Sequence, residues 1–77
     1  HKVSIVQGGE PVNNALPHNA IAILHAVLGD WQVDAGDRLV AGVGDTVVVE
    51  QAQFMHLTAP SGAAAVVAIL QPAEDTS

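Results

Sequence analysis

The sequence predicts an all-β fold, either a small jelly-roll barrel or an incomplete barrel of short antiparallel strands. Two observations predict it. Apolar or alternating segments of strand length recur along the chain, and turn sequences such as GG, GD and PSG separate them about every 8 to 15 residues. Short strands at regular spacing with turns between them are typical of all-β sandwiches and barrels.

The predicted strands begin near the start of the chain. Val3 and Ile5 share one face of a strand at Lys2–Gln7, and residues 8–11 (GGEP) end it because proline cannot donate to a sheet ladder. Residues 13–19 are predicted to form a loop. Further strands are predicted at residues 20–28, 31–33, 38–40, 46–49 and 63–70, with one more beginning at Met55. With the peripheral segment at residues 1–17 left out, we count about six strands for a barrel, and residues 34–37 (DAGD) connect two of them as a hairpin.

Residues 44–58 (GDTVVVEQAQFMHLT) contain the most informative pattern. A Gly-Asp turn precedes residues 46–49, a β-branched run that predicts a strand buried on both faces. In the next strand Met55 and Leu57 alternate with His56 and Thr58, so the imidazole lies on the more polar face.

Composition limits the chain to one small domain, residues 1–77, with a peripheral strand and loop at 1–17 and a frayed polar tail at 73–77. A chain of this length buries only about 60% of its unfolded surface, and its apolar residues are mostly Ala and Val. With no cysteine there is neither a disulfide nor a thiolate metal site. We therefore expect other protein surface to complete the core.

The formal charge of −6, with Lys2 and Arg38 as the only Lys or Arg side chains, argues against nucleic-acid partners and against docking to anionic lipid. No apolar run approaches the about 20 residues of a membrane-spanning helix. No signal peptide is visible in a chain that begins at His1, and we expect a cytoplasmic location.

Several of these segments together resemble the cupin superfamily of small double-stranded β-helix barrels. The resemblance rests on LHAVLG at 24–29, WQV at 31–33, RL at 38–39, GD at 44–45, VVV at 47–49 and His56, and it covers roughly residues 18–70. The Ala/Val-rich, aromatic-poor composition is similar to the metal-poor HutD/Ves-type branch. The resemblance implies a jelly roll, which usually needs eight strands in two Greek keys.

The cupin metal motifs are incomplete in this chain. Metal-binding cupins carry two His and a Glu in a first motif and a His in a second. His18 fits the first motif, but Leu16 and Ala22 stand where the other His and the Glu are expected, and the second His would fall one residue before His56. We therefore expect no cofactor. The alternative is a divalent transition metal held by His18 and His56 with ligands from another segment or chain.

Four side chains are candidate ligand-binding residues: His56, Thr58, Arg38 and Trp31. An imidazole can orient a polar ligand, and a guanidinium can hold a carboxylate through two hydrogen bonds. Each also has an ordinary structural interpretation, since Arg38 could pair with a neighbouring Asp in solvent and Trp31 could cap a small core. His25, between apolar neighbours, is predicted to be a packing or interface residue.

Two functions from different classes are compatible with these features. The first is a non-catalytic, cupin-like module that binds a small molecule or another subunit. The alternative is a metal-dependent cupin enzyme, an oxygenase or isomerase, that uses His18 and His56. Because the strand count falls short of a closed barrel, we expect a homo-oligomer, or a missing segment of the same protein, against the apolar strands at 20–28 and 63–70.

Overall fold

A computed structural model describes residues 2–71, which form eight strands and no helix. The strands are β1 (Lys2–Gln7), β2 (Val12–Ala15), β3 (Ile21–Leu28), β4 (Trp31–Asp34), β5 (Arg38–Ala41), β6 (Thr46–Glu50), β7 (Phe54–Thr58) and β8 (Ala64–Leu70). The all-β prediction is confirmed. The tail predicted at 73–77 lies outside the described residues. Nothing in the described range is a helix of the length and apolarity that membrane crossing requires.

The strands form two four-stranded sheets. Sheet A has the order β1-β8-β3-β6, and sheet B has the order β2-β7-β4-β5. The first strand pairs antiparallel with the last, the second with the seventh, the third with the sixth and the fourth with the fifth. This nested pairing of eight strands across two sheets is a jelly roll.

The count of about six strands was too low. β2 covers Val12–Ala15, where a loop was predicted, and pairs with β7 at the edge of sheet B. Asn13 and Asn14 have low strand propensity, so this segment is a strand only because β7 supplies hydrogen-bonding partners. With eight strands present, an incomplete strand set no longer argues for an oligomer.

The core lies between the two sheets and is divided unevenly between them. Sheet A contributes mostly small side chains, and sheet B contributes the largest ones. The inward residues of sheet A include Ala22, Leu24, Ala26, Ala65, Val67 and Val49, and those of sheet B include Trp31, Val33, Ala41, Met55 and Leu57. Small side chains facing large ones let the layers interdigitate.

The hairpin and the alternation of β7 are both observed as predicted. β4 and β5 pair around residues 35–37, and Met55 and Leu57 are buried while His56 and Thr58 are exposed. The prediction that residues 46–49 are buried on both faces was wrong. β6 is an edge strand of sheet A, and Val48 on its outer face is 51% exposed.

Candidate functional site

The structure brings three of the four predicted ligand-binding residues together on the outer face of sheet B. His56 and Thr58 on β7 and Arg38 on β5 line one shallow cleft of about 190 Å³, together with Gln32 and Asp34 on β4. Burial of Met55 and Leu57 between the sheets is what sends His56 and Thr58 outward. The cleft is therefore on the outside of the sandwich.

Trp31 is not part of this cleft. Its side chain is completely buried in the core. The indole Nε1–H donates to the carbonyl oxygen of Leu28 at 3.3 Å and to that of Ala64 at 3.2 Å. These bonds tie the end of β3 and the start of β8 to the core, so Trp31 has a structural position.

The two predicted metal ligands lie in different places. His18 is in the loop between β2 and β3 and lines a cleft with Gln51 and Gln53 from the β6–β7 loop. His56 lines the cleft on sheet B. Within residues 2–71 no three His, Cys, Asp or Glu side chains are grouped so that they could hold a metal ion. His18 and His56 therefore lie at two separate positions, and each position has a single imidazole as a candidate metal ligand.

The outer face of sheet A is apolar, and we call it the apolar face. It is defined by apolar outward side chains from all four strands, which are Val3 and Ile5 on β1, Val66, Ala68 and Leu70 on β8, Ile21 and Ile23 on β3, and Val48 on β6. One register row runs Val3–Ala68–Ile23–Val48 straight across the sheet. Large exposed apolar patches on protein surfaces are often interaction sites.

Side-chain size on β1 and β3 is inverted relative to an ordinary sandwich. β3 turns Ala22 and Ala26 inward and Ile21 and Ile23 outward. On β1 the outward Ile5 is 74% exposed. A sheet with one solvated face normally places its larger apolar side chains in the core and polar ones outside. Ile5, Ile21 and Ile23 therefore face a surface that the described chain leaves uncovered, whereas Leu24 is the large side chain of β3 that faces the core.

Two polar side chains within the apolar face, His25 and Thr46, are hydrogen-bonded to each other. His25 and Thr46 lie side by side in the row Ile5–Val66–His25–Thr46, and His25 Nδ1 is 2.8 Å from Thr46 Oγ1. Glu50, next to Ile21 in the register, is the charged side chain at the margin. Since a polar atom that keeps its hydrogen bond is much cheaper to bury, the bond between His25 Nδ1 and Thr46 Oγ1 lowers the cost of covering this face.

Sequence reasoning identified the apolar strands but not this face. It predicted apolar strands at residues 20–28 and 63–70 with a second copy or a missing segment against them, but not that they pair with each other as β3 and β8 at the centre of sheet A. The alternation of Ile21 and Ile23 with Ala22 was the available signal.

No protein family, no curated protein and no solved structure matches the chain.

Proposed function

We propose that this chain is a non-catalytic, cupin-like module whose function is to bind another subunit, and that the subunit is a second copy of itself. The observation that carries the proposal is the inverted side-chain size of sheet A, with Ile21, Ile23 and Ile5 outward and Ala22 and Ala26 inward. Two such faces packed together would form a second core of the kind seen between stacked sheets.

Charge distribution is compatible with a second copy as the occupant, provided that the contact is made through the apolar face. Each chain carries a formal charge of −6, which would oppose association through its acidic surfaces. The apolar face has Glu50 at its margin and no Lys, Arg, Asp or Glu in its central rows Val3–Ala68–Ile23–Val48 and Ile5–Val66–His25–Thr46. Two copies that meet through this face place Glu50, and Asp37 in the cleft beside it, at the margin of the contact.

The small area of the face places the contact among weak, transient interfaces. Four strands about 4.8 Å apart and about 20 Å long give a face on the order of 400 Å² in projection. Two copies then bury an area at or below the lower end of the about 1,200–2,000 Å² typical of stable interfaces. We expect a dimer with a dissociation constant in the micromolar range.

The filled interior supports a non-catalytic module. Trp31, Met55 and Leu57 occupy the space between the sheets, and each is completely buried. The site that a barrel enzyme would place inside is here occupied by core side chains. The cupin resemblance itself stays a prediction.

Sedimentation velocity from about 5 to 500 μM tests the proposal. The wild-type chain should shift from its monomer mass of 7.9 kDa to about twice that value as concentration rises. The Val3→Glu/Ile5→Glu variant should stay monomeric, because two carboxylates would have to be buried. The matched control is Val40→Glu/Val43→Glu, which adds the same charge at side chains that are 70% and 64% exposed but lie outside sheet A.

Three results would contradict the proposal. These are a wild-type chain that stays monomeric up to 500 μM, a Val3→Glu/Ile5→Glu variant that dimerises normally, and a control that loses the dimer equally. Circular dichroism establishes that each variant is folded. If the β1 variant is unfolded, Val48→Glu on β6 takes its place, since Val48 is an exposed side chain of the same face.

A further inference from the structure

A row of four different polar side chains crosses the outer face of sheet B, and we call it the polar row. It runs Asn13 on β2, His56 on β7, Asp34 on β4 and Arg38 on β5, each the register neighbour of the next. Gln32 and Thr58 are paired in the adjacent row. Neighbouring strands are about 4.8 Å apart, so the row presents an amide, an imidazole, a carboxylate and a guanidinium over about 14 Å.

The polar row has an aromatic neighbour. Phe54 lies two residues before His56 on the same face of β7, and the two rings are 5.0 Å apart between centroids at 71°. The Phe54 side chain is 43% exposed because it points away from the core, whereas Met55 and Leu57 on the same strand are buried. Its exposed ring adds an apolar surface beside the cleft of about 190 Å³, which is lined by Gln32, Asp34, Arg38, His56 and Thr58.

The mixture of groups selects the chemistry of the ligand. Amide, imidazole and hydroxyl groups both donate and accept hydrogen bonds, Asp34 accepts, and Arg38 donates. The one carboxylate and the one guanidinium cancel in formal charge. The net charge of −6 disfavours an anionic ligand, and with Asp34 beside Arg38 the row itself has no net charge that would attract an ion of either sign.

From this arrangement we propose that the polar row and Phe54 bind a neutral carbohydrate. Hydroxyl groups of a sugar are at once donors and acceptors, which matches the row, and the C–H face of a sugar ring can pack on Phe54. The cleft is smaller than the about 300–1,000 Å³ of pockets that enclose a ligand. The sugar therefore lies across the sheet, in contact with solvent, and binds weakly.

This site is independent of the proposed subunit contact. The polar row is on the outer face of sheet B, and the apolar face is on the outer face of sheet A, so the sandwich core separates them. A dimer formed through sheet A leaves both polar rows accessible. Failure of either proposal leaves the other standing.

Titration of the ¹⁵N-labelled chain with glucose, galactose, mannose, maltose and cellobiose tests the inference by amide chemical-shift mapping. We expect at least one sugar to bind with a millimolar dissociation constant and to shift amides of β2, β7, β4 and β5 around the polar row. His56→Ala should weaken that binding at least 10-fold. His25→Ala is the matched control, because it removes an exposed imidazole from the outer face of sheet A and should leave sugar affinity within 2-fold.

Phe54→Leu keeps an apolar side chain at the same position and should weaken binding at least 3-fold. Glucuronate, which adds a carboxylate to glucose, should bind more weakly than the neutral sugars. The inference is overturned if no sugar shifts these amides at 50 mM, if the shifts map outside sheet B, or if glucuronate binds more tightly than every neutral sugar. Equal losses from His56→Ala and His25→Ala would overturn it as well.

Discussion

The indole of Trp31 connects three parts of the molecule, because it belongs to β4, is fully buried, and donates to carbonyl oxygens at the end of β3 and the start of β8. Trp31→Phe removes both hydrogen bonds and part of the volume. We expect a loss of about 1–3 kcal/mol in the free energy of unfolding, measured by urea denaturation with far-ultraviolet circular dichroism. Phe54→Leu, at a partly exposed position, should change it by less than about 0.5 kcal/mol. Equal stability of wild type and Trp31→Phe would show that the indole bonds contribute nothing.

Gly44 and Gly29 both have positive φ, and their alanine variants distinguish the cost of backbone strain from the cost of a steric clash. Gly44 has φ +88° and open space where a Cβ would lie, whereas a Cβ at Gly29, with φ +74°, would lie 2.7 Å from the Cβ of Ala63. Gly44→Ala should therefore cost about 1 kcal/mol from backbone conformation alone. Gly29→Ala should cost about 2 kcal/mol or more, since buried Ala63 must also move. Thermal melts that rank the two variants in the opposite order would contradict this account.

At the scale of strands, the sheets should differ in local stability. β3 and β8 each have a hydrogen-bonded strand on both sides, while β2 is a four-residue edge strand paired with β7. Local opening is easiest where few ladder bonds and few buried contacts hold a segment. Amide hydrogen exchange should be slowest in β3 and β8 and much faster in β2. Protection of β2 equal to that of β3 would mean that the edge of sheet B is covered by something outside the described chain.

The strands that the sequence predicts correctly are those with apolar periodicity. β3, β7 and β8 have long apolar or strictly alternating patterns, and β4 and β5 flank an Asp/Gly connection typical of a hairpin. β2 has no such pattern and takes its conformation from β7. Which face of β3 is inward was not predictable locally, because Ile21 and Ile23 are better core residues than Ala22 and Ala26 by size. The large side chains of sheet B occupy the space and leave room for alanines opposite them.

The candidate sites were predictable only in part, because alternation along one strand does not show which face is outward or which strands lie beside it. Sequence alternation placed His56 and Thr58 on one face, but it did not show that this face is the outside of the sandwich or that Arg38 lies beside them. The proximity of His56, Thr58 and Arg38 to Asp34 and Gln32 depends on the register between β7, β4 and β5. Trp31 was a candidate ligand residue on its chemistry alone, and its core position follows from the same register.

For the whole molecule, net charge and apolar association oppose each other. Two chains of formal charge −6 repel, and salt shortens the screening length from about 30 Å at 0.01 M to about 8 Å at 0.15 M. The apolar contact itself is insensitive to this screening. We expect the dimer dissociation constant to fall severalfold between 10 and 300 mM NaCl in sedimentation equilibrium. Weaker association at higher salt would indicate an ionic interface and would contradict the apolar face.

The most direct test of the central claim is an isotope-filtered nuclear Overhauser experiment on a mixture of ¹³C-labelled and unlabelled chains. The claim is that two copies meet through the outer face of sheet A. We predict intermolecular contacts among the methyl groups of Val3, Ile5, Ile23, Val48 and Val66, and none to Val40 on sheet B. Intermolecular contacts confined to sheet B or to the strand edges, or none at concentrations of several hundred micromolar, would contradict it.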